Sequence, residues 1–100
     1  MKKRIQKPIN ILYYIEYGHE NGHTERDISR WAGVNQREVR RLISIARREE
    51  VILNMQDGKG YFRPDDTEQY LVKDWLNQEE NRLKQHALAL RAARKYVREE

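Results

Sequence analysis

Residues 24–48 read TERDISRWAGVNQREVRRLISIARR, and this stretch decides the fold. Thr24 is a good N-cap, because its hydroxyl can accept a backbone N–H of the first helical turn. Gly33 suits the left-handed position just past a helix end. The pattern therefore predicts a helix of about two turns that starts after Thr24 and ends at Gly33. Trp31 and the turn residue Val34 are expected to lie in the core.

A second helix follows directly and carries both an apolar stripe and a basic face. Asn35 and Glu38 form an Asn-x-x-Glu variant of the capping box, which predicts a helix over about residues 36–49. Four apolar residues stand at i, i+3, i+4 and i+7 and share one stripe, which is expected to face the core: Val39, Leu42, Ile43 and Ala46. The rest of residues 36–48 then faces outward, with five arginines against one acidic residue.

Further elements are predicted on both sides of this pair. A proline and the apolar residues after it predict a helix over about residues 8–18. Residues 51–63 predict a β-hairpin around an Asp-Gly turn. Because a lone two-stranded hairpin is marginal in water, it is expected to pack on the helices through Ile52 or Leu53 and through Phe62.

The remainder of the chain predicts one long helix. No proline or glycine occurs from Asp66 to Arg98, and acidic residues come early while basic residues come late, as the helix dipole favours. Its first part is expected to dock on the body through Tyr70, Leu71, Trp75 and Leu76. After this part an apolar residue recurs every seven residues, although the companion positions of each heptad hold charged, polar or small residues. The candidate dimerisation residues are Leu76, Leu83, Leu90 and Val97.

The predicted fold class is mainly α with a small β-hairpin. The order of elements resembles the winged helix-turn-helix family over about residues 8–64, on the stretch 24–42 and the Gly58-Lys59-Gly60-Tyr61 hairpin. This resemblance implies a DNA-binding domain over residues 1–66 with a basic N-terminal arm, followed by a C-terminal helix over residues 67–100 for docking or dimerisation. The Gly60-Tyr61-Phe62-Arg63-Pro64 stretch, followed by an acidic helix start and a basic tail, is similar to small winged-helix proteins of phages and prophages of Gram-positive bacteria.

Composition narrows the function classes. Lysine and arginine number 20 against 16 acidic residues, and the formal net charge of +4 favours a polyanionic partner. The chain has no cysteine, which excludes disulfides, thiolate metal sites and cysteine nucleophiles. Without an apolar run of signal-peptide or membrane length, we expect a cytoplasmic protein with no membrane partner. We also expect that the protein is not an enzyme and binds no cofactor. We expect no metal site either, since the glycines beside His19 and His23 oppose a helical ligand pair there.

The residues beside the apolar stripe predict an interface with duplex DNA. The start of the helix over residues 36–49 is expected to enter the major groove, where glutamine can read adenine and arginine can read guanine. The candidates for base contacts are Gln36, Arg37, Arg40, Arg41 and Ser44. The candidates for phosphate contacts are Thr24, Arg26, Arg30, Arg47, Arg48 and, in the N-terminal arm, Lys2, Lys3 and Arg4. The hairpin contributes Lys59 and Arg63 as wing contacts.

Three functions remain open at this point. The first is a sequence-specific transcriptional regulator of phage or mobile-element type that binds double-stranded DNA as a homodimer through the C-terminal helix. The second is an accessory of phage replication, excision or packaging, which binds DNA and recruits a phage or host protein through that helix. The third is a protein–protein interaction module, because some winged helices bind proteins and leave DNA alone.

Overall fold

The computed structural model describes residues 9–99, so Lys2, Lys3 and Arg4 of the basic arm lie outside the described residues. In chain order the elements are 3-10 helices at Ile11–Tyr14 and His19–Asn21, then α1 (Glu25–Ala32), α2 (Gln36–Ala46), β1 (Leu53–Asn54), β2 (Tyr61–Phe62) and α3 (Gln69–Arg98). The two strands pair antiparallel, with Leu53 opposite Phe62. The prediction of a mainly helical fold with a small hairpin and a long C-terminal helix is confirmed.

The two central helices begin and end where their capping residues stand. The Thr24 hydroxyl accepts the Asp27 backbone N–H at 3.2 Å, and Gly33 closes α1 with a left-handed φ of +71°. The Asn35 side chain accepts the Glu38 N–H at 2.8 Å and opens α2. Only half of the predicted capping box forms, because the Glu38 carboxylate pairs with an arginine one turn on instead of returning to Asn35.

The end of α2 comes earlier than predicted. The helix stops at Ala46, and residues 47–50 form a turn. Arg47 explains this turn, since its Nε donates to the backbone carbonyl of Ile52 at 3.0 Å and draws the chain toward the first strand.

The predicted helix over residues 8–18 is wrong, because only Ile11–Tyr14 is helical and only as a 3-10 turn. Ile15 adopts an extended conformation, and Glu16 accepts the Arg63 N–H at 2.8 Å. The Arg63 guanidinium also donates to the carbonyls of Ile15 at 2.9 Å and Leu12 at 3.4 Å. Pairing with Arg63, the residue just after β2, thus takes the backbone groups that a helix would have used, while Ile11 and Ile15 remain buried.

The core has two parts, one under the helices and one under the hairpin. The first consists of six buried aliphatic residues: Ile11, Ile15, Ile28, Val39, Ile43 and Ile52. The second consists of Leu53, Phe62 and Leu71, so the hairpin joins the body to the start of α3. The predicted packing of the hairpin through Ile52, Leu53 and Phe62 is confirmed.

Trp31 does not lie in the core as expected, since it is 51% exposed. The short helix α1 buries Ile28, and Trp31 falls at the edge of that face, where its ring stands edge-on to His23 with centroids 4.8 Å apart. Val34 is half-buried and packs against the core, as the sequence indicated.

The docking of α3 is shorter than predicted. Leu71 is buried, and Val72 and Trp75 pack partly against it, but Tyr70 is 61% and Leu76 is 44% exposed. Leu76 instead lines an open groove together with Val51 and Trp75. From residue 80 to residue 99 every side chain is exposed.

Candidate nucleic-acid interface

The side of α2 opposite its buried stripe presents a basic surface. Val39 and Ile43 are buried and Leu42 and Ala46 are half-buried, so the predicted inward stripe is confirmed. At about 100° per residue, the positions opposite this stripe are Arg37, Arg41 and Ser44, and Arg48 follows in the turn just after α2; all four are exposed. We call these four residues the α2 outer face.

Arg40 lies at the flank of this face and turns toward α1. Its Nη1 donates to both carboxylate oxygens of Glu25, at 3.0 and 3.2 Å. Gln36 is exposed on the same flank, one turn earlier. Because Glu25 is the first residue of α1 and Arg40 lies in the second turn of α2, this ion pair ties the two helices together near the solvent.

Arg41 is held within the α2 outer face by Glu38. Its guanidinium donates through Nε and, at 3.2 Å, through Nη2 to the two oxygens of that carboxylate. This hydrogen bonding lowers the pKa of Glu38 and raises the pKa of Arg41. Solvent-exposed ion pairs of this kind are weak, so a phosphate or a base edge can compete for Arg41.

Two other arginines of the predicted set have different environments. Arg47 turns inward, because its Nε donates to Ile52 and its guanidinium stacks between Tyr61 and Trp75, 5.7 and 5.4 Å from the ring centroids. Arg48 is exposed and has no ion-pair partner within residues 9–99. Arg47 therefore holds the hairpin and α3 to α2, whereas Arg48 is available to a ligand.

On α1, Arg26 and Arg30 stand four residues apart and share one face of the helix. Both are exposed, and neither is ion-paired among the residues that the structure describes. Thr24 is occupied as the N-cap of α1. A phosphate alongside this face of α1 would therefore meet Arg26 near the start of the helix and Arg30 in its last turn.

The hairpin is tied back to an acidic segment. Lys59 donates to Glu20 at 2.7 Å, and Asp57 lies 2.6 Å from Nε2 of His19. The hydrogen bond from Lys59 lowers the pKa of Glu20, and the same bond raises the pKa of Lys59. Lys59 of the hairpin is thus paired with a carboxylate in this structure.

Arg63 serves the fold and does not extend from the wing. Besides its two hydrogen bonds to backbone carbonyls, its guanidinium lies 4.2 Å from the centroid of the Tyr17 ring. The sequence gives no local signal for this role, since the carbonyls that it meets are about 50 residues away in the chain. Sequence reasoning also missed Glu25 as the partner of Arg40, whereas the i, i+3 spacing of Glu38 and Arg41 is a local signal for their pair.

His19 and His23 have separate roles. His19 stacks on Phe62 with ring centroids 4.8 Å apart, while His23 lies 3.0 Å from Glu16 Oε2 and packs on Trp31. Within residues 9–99, no three histidine or acidic side chains come together in a cluster that could hold a metal ion.

The described helices, including the 30-residue α3, contain no stretch that is long and apolar enough to cross a lipid bilayer. Comparisons of the chain with protein-family models, with curated proteins and with solved structures find no match.

Proposed function

We propose that this protein is a winged helix-turn-helix that binds duplex DNA and inserts α2 into the major groove. The observation that carries the proposal is the α2 outer face, which combines two arginines and a serine of α2 with Arg48 just after it, on a side that no element within residues 9–99 covers. Arginine pairs bidentately with guanine, and an α-helix fits the width of the major groove.

The arrangement around α2 supports this proposal. Only Gly33, Val34 and Asn35 separate α1 from α2, which is the short glycine-containing turn of a helix-turn-helix. The hairpin is anchored immediately before α1, because His23 and Tyr61 exchange two backbone hydrogen bonds of 3.0 and 2.8 Å. A wing held there lies beside the helix-turn-helix unit. In this arrangement Arg26, Arg30 and Arg48 contact phosphates around the groove. Lys59 also contacts a phosphate when its ion pair with Glu20 is broken.

We infer a regulatory role on DNA, in which binding to an operator by a phage-type or mobile-element protein controls transcription. The accessory role in phage replication, excision or packaging is favoured by one observation: the exposed end of α3 offers a surface for a partner. The two roles share the same DNA interface and differ in what α3 binds.

A salt titration tests the DNA proposal. Fluorescence anisotropy of a labelled random duplex is expected to show an affinity that falls linearly on logarithmic axes as salt rises, with a slope of about −0.9 for each phosphate neutralised. Arg37→Ala is expected to weaken binding to a selected site by roughly 5- to 150-fold, as for loss of one bidentate base contact of about 1–3 kcal/mol. Lys84→Ala is the matched control, since this exposed lysine lies on α3 away from the hairpin.

Absence of binding to any duplex at low salt would contradict the proposal and favour the protein–protein interaction module. Equal losses of DNA affinity from Arg37→Ala and Lys84→Ala would show that binding depends on the net charge of the protein and not on the α2 outer face.

Releasing Arg41 from its carboxylate is expected to strengthen binding. Glu38→Gln removes a negative charge beside the α2 outer face and leaves the Asn35 cap intact, because that cap uses the backbone N–H of residue 38. We expect the affinity for random duplex to rise roughly 3- to 10-fold, because the carboxylate that repels phosphate and competes for Arg41 is gone. Asp66→Asn, which makes the same charge change at an exposed position before α3, is the control and is expected to change the affinity less. A decrease with Glu38→Gln would place Glu38 among the DNA-binding residues.

A further inference from the structure

The outer two-thirds of α3 has no partner within the described chain. The helix runs from Gln69 to Arg98 and is therefore about 45 Å long, at about 1.5 Å per residue. Only its first turns pack on the body, and every side chain from residue 80 to residue 99 is exposed. Since most helical stability in proteins comes from packing of an apolar face, a long helix with such a face uncovered indicates a surface that another molecule covers.

The uncovered part carries a narrow apolar stripe. At about 100° per residue, the four residues of the sevenfold repeat lie within about 60° of one another around the helix. Leu83 is 69%, Leu90 is 42% and Val97 is 69% exposed. The stripe continues the face through which Val72 and Trp75 pack on the hairpin. The small residues Ala87 and Ala93 beside it allow close approach of a second helix. We call the set Leu76, Leu83, Leu90 and Val97 the α3 stripe.

The distal end of α3 is basic, whereas the part near the body is balanced in charge. Near the body, Glu79 and Glu80 are offset by Arg82 and Lys84, and Glu79 is ion-paired with Arg82 at 3.3 Å. The distal end carries Arg91, Arg94, Lys95 and Arg98 against Glu99. Two copies in parallel would bring the two basic ends together, which is unfavourable, whereas two copies in antiparallel orientation keep these ends apart. Charge therefore favours the antiparallel orientation for a second copy of this chain.

The spacing of the stripe permits an antiparallel pair. When Leu76 of one copy faces Val97 of the other, Leu83 faces Leu90, because the two helices run in opposite directions and the stripe residues are seven positions apart. The same register sets Glu79 opposite Arg94 and places the two-fold axis between residues 86 and 87.

A groove at the base of α3 lies where the distal end of the second copy would arrive. Its apolar lining includes Val51, Val72, Trp75 and Leu76, and its polar lining has balanced charge, with Arg47 and Arg48 beside Glu49 and Glu50. Val51 is 46% exposed and Leu76 is 44% exposed. An incoming end that carries Val97 fits the apolar floor of this groove, and its arginines can reach Glu49 and Glu50.

We propose that α3 forms an antiparallel pair with α3 of a second copy, in which the α3 stripe is the seam and the distal end of each helix docks in the groove lined by Val51 and Trp75 of the other copy. The inference goes beyond the proposed DNA binding and does not depend on it.

Sedimentation of the full chain at tens of micromolar tests whether the pair forms. A dimer is expected, and Leu90→Glu is expected to weaken it at least roughly 100-fold, because the two-fold axis places the change twice in the interface. Leu88→Glu is the matched control: Leu88 is 49% exposed but lies about 160° around the helix from Leu90, so its variant should remain dimeric. Both changes are at exposed positions, and circular dichroism checks that both variants fold.

Cysteine cross-linking tests the orientation and is free of background, since the chain has no cysteine. In the antiparallel pair the two copies of residue 76 are about 30 Å apart, too far for a disulfide, while residue 76 lies beside residue 97 of the other copy. Mixing Leu76→Cys and Val97→Cys proteins is therefore expected to give the mixed disulfide in preference to either self-linked dimer.

Three results would overturn the inference: a monomer at every concentration, dissociation by Leu88→Glu equal to that by Leu90→Glu, or each single-cysteine variant linking to itself. None of these measurements contains DNA, so their failure leaves the proposed function standing. Loss of DNA binding likewise leaves the pairing of α3 untouched.

Discussion

Gly60→Ala is expected to destabilise the protein by about 3–5 kcal/mol, which for a domain of this size lowers the melting temperature by at least roughly 12 °C. Gly60 has a φ of +82°, where a residue with a side chain is strained. A Cβ at this position would lie 2.2 Å from the carbonyl oxygen of His23. His23 and Tyr61 would have to separate, and with them the two backbone hydrogen bonds that anchor the hairpin before α1.

Two other glycines separate the two causes. Gly58 has a φ of +87°, and a Cβ added there would have no heavy atom within 4 Å. Gly58→Ala therefore measures the conformational strain alone, about 1–2 kcal/mol. Gly22 has a φ of −63°, which alanine adopts freely, but its Cβ would lie 2.4 Å from the Lys59 carbonyl oxygen. Gly22→Ala therefore measures the steric effect alone. Urea unfolding followed by circular dichroism measures all three variants, and equal values for Gly60→Ala and Gly58→Ala would show that residues 22–23 do not approach the hairpin this closely.

Glu68→Ala is expected to destabilise the protein by about 2–4 kcal/mol. Glu68 is the buried charged residue at the start of α3, with 9% of its surface exposed. One carboxylate oxygen accepts the backbone N–H of His19 at 2.9 Å, and the other accepts that of Asp65 at 3.0 Å. Alanine would leave these two part-buried donors without their partner, and each such loss is worth about 1–3 kcal/mol before water replaces it.

Variants at and near Glu68 distinguish its hydrogen bonds from its position at a helix start. Glu68→Gln keeps the length of the side chain and one acceptor oxygen, so we expect a smaller loss of about 1–2 kcal/mol. Asp66→Ala removes an exposed acidic residue from the same segment, and its effect should stay within about 0.5 kcal/mol. Thermal unfolding of the three variants measures these differences. A loss from Asp66→Ala as large as that from Glu68→Ala would assign the effect to charge at the helix start.

Local sequence signals predicted the helix boundaries that depend on local chemistry. Thr24, Gly33 and Asn35 cap α1 and α2 as expected, because a cap needs only the side chain and the backbone of the adjoining turn. The inward stripe of α2 and the uninterrupted α3 were also predicted, since both follow from the periodicity of apolar residues and from the absence of helix breakers.

The roles of individual arginines were decided by contacts distant in sequence. Arg40 and Arg47 have the same helix propensity and charge as Arg37 and Arg48, and no pattern in the sequence separates them. Arg40 meets Glu25 only because α1 crosses beside α2, and Arg47 meets Tyr61 and Trp75 only because the hairpin and α3 pack there. A basic face counted from the sequence therefore contains more arginines than the structure leaves available.

The two capped helices, the hairpin, the long tail helix and the inward stripe of α2 follow from the amino-acid sequence, because each depends on interactions within a few residues. Three features follow from packing instead: residues 15–18 leave the helical path, Arg63 and Glu68 bind distant backbone groups, and Trp31 stays at the surface. A backbone N–H or carbonyl takes the partner that packing brings within reach, and residues 48 to 51 positions apart in the chain become neighbours only after folding.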